Sequence, residues 1–497
     1  FSAEVPQNPT EARMEFYRSE LRRRGAELWF GSIGWGAWMV SNRVAGVLAA
    51  TPYGAVCARA SVVIDATGNA DIAAAAGAPT RWFDDVFTLQ NSNIPPREIG
   101  ASYLNGDRPP IDAADPIHLS AAMSATVYPR FDRGPLVASR ERRRIIGEYT
   151  LDWLDQILER TFPDTIARAT SDYDSHGMQV HLFFMLRPQR PAGDARRRFW
   201  SEVPYRCLLP RGVEGLLVVG LGLSVHRDAL PIVRMQPDVQ NVGYAAGLAA
   251  ALAVQRRCTP REIPVRDLQR RLVEGGFLPT SVLSAHDSFP LPDARLDEAV
   301  TRLGPEYEGV EVLLAFPDRA RPRLRAALAA ASDEQSRLAC AHVLGVLGDR
   351  IAAPILVAEC ERRLREGDLP LTSSAEMRNP VERLIWALGR CGDPAAVPAL
   401  VRLAEAIPVS ATTLWRALAA SFERAEDPAA APVLKRALGE APVANEVLRL
   451  WLASALLRCG DPDGRARAEL AAMACGENAL IARAAAQALQ RCSGGAP

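Results

Sequence analysis

Gly215-Leu-Leu-Val-Val-Gly-Leu-Gly-Leu-Ser224, running on to Gly243-Tyr-Ala-Ala-Gly-Leu-Ala-Ala250, decides how this chain reads. Leu216 to Val219 is a short unbroken apolar run, the pattern of a strand buried on both faces. It ends in glycines, and a helix of small residues is expected to begin near Gly243. Small residues there let the backbone approach a ligand closely, with N–H groups pointing at it. A second run of the same character, Val62-Val-Ile-Asp65, passes straight into Ala66-Thr67-Gly68. Two buried strands feeding glycine turns far apart in sequence predict one split nucleotide-binding domain.

The segments around these strands fit that frame. Glu11 to Arg24 has helical periodicity and is closed by Gly25, a helix-stop signal. Glu27 to Gly31 reads as a strand. Trp38–Ser41, Val44–Ala50 and Ala55–Ala60 alternate or carry β-formers. Asn42-Arg43 and Pro52-Tyr-Gly54 separate them, which predicts an antiparallel meander. Trp35 and Trp38 read as packing residues. Gly31-Ser-Ile-Gly-Trp-Gly36 opens the meander and reads as a turn. Residues 81–200 read as an inserted domain. It holds a long helix over Leu136–Arg160, a polar loop Asp172-Tyr-Asp-Ser-His-Gly177 and an apolar strand Val180–Leu186. Residues 201–282 return to the first domain, whose first part is 1–80, and close it with a helix near Val265–Glu274.

From residue 290 to 497 the pattern changes. A Gly-Asp or Glu-Asp turn recurs after alanine- and leucine-rich helices, with aspartates at 349, 393, 427 and 461, spaced by 44, 34 and 34 residues. The wider gap contains a polar insert, Glu366–Pro380. Helix pairs at a fixed period mean a solenoid. Aspartate caps the helix that follows, and proline suits its first turn.

Composition excludes several classes. The formal net charge of 0 gives no basic face for nucleic acid. Lys435 is the single lysine, so Schiff-base chemistry has one candidate. The 9 cysteines contain no Cys-x-x-Cys pair, so neither a disulfide framework nor a zinc or iron–sulfur site is expected. Reduced, mostly buried thiols are. No apolar run reaches membrane-spanning length. The compartment stays open.

Five blocks carry a family resemblance. They are Ile64-Asp-Ala-Thr-Gly-Asn-Ala-Asp71 with Gly77-Ala-Pro79, Arg140-Glu141 with Arg143-Arg144-Ile-Ile-Gly-Glu148, and Phe162-Pro-Asp-Thr-Ile-Ala-Arg168 with Asp174-Ser-His176. The others are Pro204-Tyr-Arg-Cys-Leu-Leu-Pro210 and Gly220 to Gly247. In this order, over roughly residues 1–280, they resemble the FAD-dependent oxidoreductase family of glutathione-reductase-like fold. The later part resembles HEAT-like repeats of the phycobilisome-lyase type. The expected fold is an α/β flavoprotein domain, an incomplete Rossmann-like FAD domain with a β meander and an insertion, followed by an all-α HEAT-like solenoid. The family opens with a strand–Gly-x-Gly-x-x-Gly–helix unit, which this sequence lacks. An N-terminal truncation of at least a βαβ unit, roughly 30 residues, is therefore expected. Where the family has Arg, this chain has Leu221. Gly-Gln-Ala-Ala-Gly becomes Gly243-Tyr-Ala-Ala-Gly247. A family histidine falls at Arg227, one place after His226.

The resemblance implies FAD as cofactor and hydride transfer from a small organic substrate, with the flavin doing the redox chemistry. It places Thr67 and Gly68 on the dinucleotide side, Gly220 and Ser224 along the ribityl chain, and the helix carrying Gly243, Ala245 and Gly247 with its N-terminus at the isoalloxazine. Asp174 and His176 are candidates for proton handling. Arg206 and Arg234, set between apolar strands, are candidates for catalysis and cofactor binding respectively. Arg140, Arg143 and Arg144 would share one helix face, with Glu148 in reach of Arg144. They would either hold an anion or form a solvated face. The solenoid would bind a partner protein on its concave face. The other reading is a catalytically degenerate flavoprotein scaffold that acts through its repeats.

Overall fold

The computed structural model describes residues 9–82, 93–94, 104–105, 142–174, 179–188, 198–372, 378–476 and 479–492. His176 and Arg140 lie outside them.

Helix α1 (Pro9–Arg23) ends as expected, with Gly25 in the left-handed region at φ 76°. Strands β1 (Ile33–Val40), β2 (Arg43–Thr51) and β3 (Gly54–Arg59) form the predicted meander, in the order β1-β2-β3. The strand expected at 27–31 is absent. The β1 register begins with Ile33 opposite Ala50, at the far end of β2, so residues 27–31 have no facing chain to pair with. Trp35 and Trp38 are exposed rather than packed, because the small Gly36 takes the inward position between them.

β4 (Val63–Asp65) enters the core, and α2 (Asp71–Ala75) follows its turn. Short strands β5 (Thr80–Arg81), β6 (Asn93–Ile94), β7 (Leu104–Asn105) and β8 (Arg144–Ile145) come next, β5 pairing β8 and β6 pairing β7. The helix expected over 136–160 is overruled among its described residues. Residues 144–151 run extended and bond to both halves of the domain: Ile146 N to Pro79 O, Glu148 N to Leu209 O, and Leu151 N to Ser224 O. Helix starts only at Asp152, whose carboxylate caps α3 (Trp153–Ile157) in a capping box with Asp155. Tertiary bonding has overridden local propensity. Arg143 and Arg144 therefore share no helix face. Arg143 bonds Asn69 and Asp71, Arg144 is buried in β8, and Glu148 pairs Arg261 rather than Arg144.

β9 (Thr165–Ser171) pairs antiparallel with β10 (Phe199–Pro204). Between them Leu182–Leu186 is not a strand but a short helix, α4, capped by the His181 side chain. Its residues 183–186 are all buried, and helices rather than a strand edge surround it. β11 (Leu216–Val218) pairs in parallel with β4, Leu216 opposite Val63 and Val218 opposite Asp65. Among the described residues β4 pairs with β11 alone. After α5 (Leu230–Val233), helix α6 runs Gln236–Arg256 and α7 closes the region at Val265–Glu274.

The rest is helical: α8 (Asp293–Arg302), α9 (Val310–Ala315), α10 (Pro317–Ala330), α11 (Glu334–Val346), α12 (Ala353–Glu366), α13 (Pro380–Arg390), α14 (Ala396–Ala406), α15 (Thr412–Ala425), α16 (Ala431–Glu440), α17 (Glu446–Arg458), α18 (Arg465–Ala474) and α19 (Ala479–Cys492). The recurring turns work as their sequence implies. Gly348, Gly392 and Gly460 take positive φ, and Glu426 does so in the third copy. Asp349, Asp393 and Asp427 each accept the amide two residues on. Alternate helices stack, α11 on α13 on α15 on α17 on α19, and α12 on α14 on α16, giving two layers. At the start of the first layer, α4 packs against α9, α11 and α13. One continuous apolar core runs from Leu151 through α6 into these helices, with a smaller one around β4. Cys57 and Cys475 are exposed free thiols, and Cys207, Cys258, Cys340, Cys360, Cys391 and Cys459 are free thiols that are buried or partly buried. No described helix is long and apolar enough to cross a membrane.

Candidate functional site

The site forms where β4 and β11 end side by side. Asp65, buried at the end of β4, accepts the Thr67 amide at 3.0 Å, the Thr67 hydroxyl at 2.7 Å and the Ala73 amide at 2.9 Å. This one carboxylate folds the chain into the turn that carries Gly68. The Thr67 hydroxyl also accepts the Asp71 amide, so its hydrogen bonds hold the turn. Gly68 takes φ 74°, and a Cβ there would meet nothing within 4 Å. Gly220 takes φ 68° at the end of β11, and a Cβ there would have only Val239 near it, at 3.9 Å. Both glycines thus occupy conformations that favour glycine and face open space. The turns are locked together, since a Cβ on Gly222 would stand 2.9 Å from the Ala70 amide nitrogen.

Beside them α6 begins. It starts at Gln236, not near Gly243, and its cap residue Met235 makes no side-chain capping bond. A 21-residue helix with an uncapped N-terminus presents amide donors and the positive end of its dipole. Gly243, Ala245 and Gly247 lie in its interior, Gly243 roughly 10 Å along the axis from the start at 1.5 Å per residue. Ala245 is buried in the core, and Gly247 is exposed. Pro237, a first-turn proline, was the available sign of the true start. Asp238 is buried in the first turn. Burial pushes its carboxyl up to about 6, against the pull of the Thr170 amide and Arg198.

Ser224 is fully buried, and its hydroxyl meets the Gly147 amide and the Thr150 hydroxyl, each at 2.9 Å. It joins strand-like residues 147–151 to the 223–227 segment. Arg234 donates to the Asp174 carbonyl at 2.5 Å and stands 3.3 Å from its carboxylate, so these two candidates are brought together. Arg206 is elsewhere engaged: its guanidinium is bidentate on Asp164 and lies over the Tyr149 ring.

A group that the sequence did not single out stands in the same region. His181 Nε2 lies 3.2 Å from Asp152 Oδ1, and the His181 and His226 rings meet edge to face at 5.2 Å. His181 Nδ1 accepts the Phe183 amide and His226 Nδ1 accepts the Asp228 amide. Each neutral ring therefore carries its proton on Nε2. Burial opposes ionisation of Asp152, but His181 and His226 outweigh it and hold the carboxyl below its usual range. Asp228 accepts the amides of Val180 and His181 at 2.6 and 2.7 Å and pairs Arg227. The visible sign in sequence was His226-Arg-Asp228, three ionisable residues between apolar runs. Among the described residues no cluster of three or more His, Cys, Asp or Glu could hold a metal.

Open glycine turns at the ends of adjacent parallel strands, beside an uncapped helix N-terminus, define a dinucleotide-cofactor domain. Residues 6–93 and 122–272 match the family model described as FAD dependent oxidoreductase; this part of the chain is an oxidoreductase domain of that kind, and its cofactor is FAD. No curated protein matches the chain, and no solved structure does. The residues present fit such a group: Gly68 and Gly220 leave the room a bound cofactor needs, and the start of α6 supplies donors.

Proposed function

We propose that this chain carries out flavin-mediated hydride transfer from a small organic substrate, and that residues 290–497 form a HEAT-like solenoid. The domain division is 1–80 and 201–282 for the FAD domain and 81–200 for the insertion. The observation that carries the proposal is the pair of open left-handed glycines, Gly68 and Gly220, beside the uncapped start of α6. In this reading Gly68 lies on the dinucleotide side of FAD, while Gly220 and the first amides of α6 hold its flavin end, which supplies the hydride acceptor when bound. The donor amides and helix dipole favour negative charge where it develops. Arg234 fixes the loop at Asp174, and residues 172–174 with 179–181 form the substrate side. His181 and His226, both with Nε2–H, are placed to hold or move a proton there. Asp174, Arg206 and His176 remain candidates to be tested one by one.

Titrating FAD into the chain while following flavin fluorescence tests this. Gly68→Val should weaken binding at least tenfold, about 1.4 kcal/mol. Equal binding by variant and parent would contradict the placement.

The degenerate-scaffold reading is favoured by a separate observation. Leu221 and Tyr244 stand where the family resemblance expects Arg and Gln. In that reading the function is partner binding through the repeats. A protein partner would then bind on the concave face of the repeats.

A further inference from the structure

Residues 179–187 are gripped from two sides. On the FAD-domain side, Asp228 holds the amides of Val180 and His181, and His181 Nε2 meets Asp152. On the helical side, Arg416 of α15 donates to the Gln179 carbonyl at 3.3 Å, and Arg383 of α13 donates through Nε to the Leu186 carbonyl at 3.0 Å. These two carbonyls lie at the two ends of the segment, one before His181 and one after it. Arg187 also stands 3.7 Å from Glu311 of α9.

Both donors are themselves fixed. Glu382, fully buried, stands 3.0 Å from Arg416 and 2.7 Å from Arg378, and accepts the Trp386 indole at 3.2 Å. The Arg383 guanidinium lies over the Tyr307 ring at 4.2 Å. Charged donors make the stronger hydrogen bonds, and guanidinium geometry adds direction. The His181 ring is tied to the backbone of this same segment through the Phe183 amide. A shift of the segment therefore carries Nε2 away from Asp152 and His226.

We propose that Arg383 and Arg416 are positioning residues of the flavin site, and that the helical region grips its own chain's segment 179–187 in cis to set His181 against Asp152 and His226. This rests on the flavin-site reading, because His181 bears on the chemistry only if substrate and flavin meet there. It gives the fused helices a role that needs no second protein.

The test uses the full chain without FAD, labelled at histidine, with the ring Nε2 signals followed by nuclear magnetic resonance. His181 is assigned by its loss in His181→Gln. Arg383→Met should move the His181 Nε2 signal and leave in place that of His286, which lies in the stretch between α7 and α8. Arg383→Lys, which keeps a charged donor, should restore it in part. Arg416→Met should move it as well. An unmoved His181 signal in folded Arg383→Met would overturn the proposal, since a residue that only packs would leave the ring where it is. Arg383 is only partly buried, so it decides alone should Arg416→Met not fold. FAD titration of the parent is read separately. Failure of the parent to bind FAD removes the flavin reading, while the histidine signals still decide whether the clamp exists.

Discussion

Gly222 packs against Ala70 so closely that a Cβ on the glycine would stand 2.9 Å from the alanine's amide nitrogen and 3.1 Å from its Cβ. This contact joins the two halves of the cofactor domain, because each residue sits in the turn after one of the paired parallel strands. Gly222→Ala must push the turns apart. Overpacking of this kind costs about 1–3 kcal/mol. Urea unfolding should show that loss, and FAD affinity should fall with it. A variant as stable as the parent would mean the turns are not in contact.

Asp238 gives the protein a stability that depends on pH. Its folded carboxyl is raised from 3.8 to about 6 by burial. The native state therefore holds a proton there that the unfolded chain releases. The sign follows: stability from this group is fullest below 3.8 and is lost as pH rises through about 6. Asp238→Asn removes the loss, so the variant should be more stable than the parent above that range, by about 1–3 kcal/mol. Melting temperatures of both chains across this window check it. Parallel curves would contradict it.

Trp153 is fully buried amid Tyr173, Phe184, Phe199 and Phe183, at ring separations of 4.6, 5.0, 5.3 and 5.9 Å. These rings flank the loop that carries Asp174 and the segment that carries His181. Trp153→Ala should cost about 3–5 kcal/mol. Amide exchange over 180–186 should quicken more than over the α16 helix, which lies in the layer of α12 and α14. Uniform quickening would place the ring cluster outside the control of the segment.

Glu382 neutralises two buried guanidinium groups. Burial already draws Arg378 down to about 10, with Glu382 opposing the fall. Glu382→Gln would leave Arg378 and Arg416 without a counter-charge, at a cost of about 3–5 kcal/mol. Replacing all three residues with methionine should cost less than the single change. Denaturant curves for the two variants order them, and the reverse order would show that the pairing itself holds the helices.

The strands and the repeat turns were legible in the sequence because their signals are local. Val62–Asp65 and Leu216–Val219 are apolar runs ended by glycine, and Asp393 or Asp427 caps its own neighbours. The stretch 144–151 was not legible, because its partners Pro79, Leu209 and Ser224 are distant in sequence. Leu182–Leu186 reads equally as strand or helix over five apolar residues, and only its neighbours decide. The start of α6 was marked by Pro237 and overshadowed by the glycines further on. Of the candidate site, Gly68 and Gly220 were legible as strand-end glycines, and the structure shows both open. The Asp152–His181–His226 group was not, since its members come from three separate segments and no spacing links them.

The most direct test of the central claim is the visible absorption spectrum of the chain after incubation with FAD and removal of unbound cofactor, beside that of Gly220→Val. Flavin bands retained by the parent and lost by the variant are the predicted result. Bands absent from both, or equally strong in both, would contradict a flavin held at the turn after Val218.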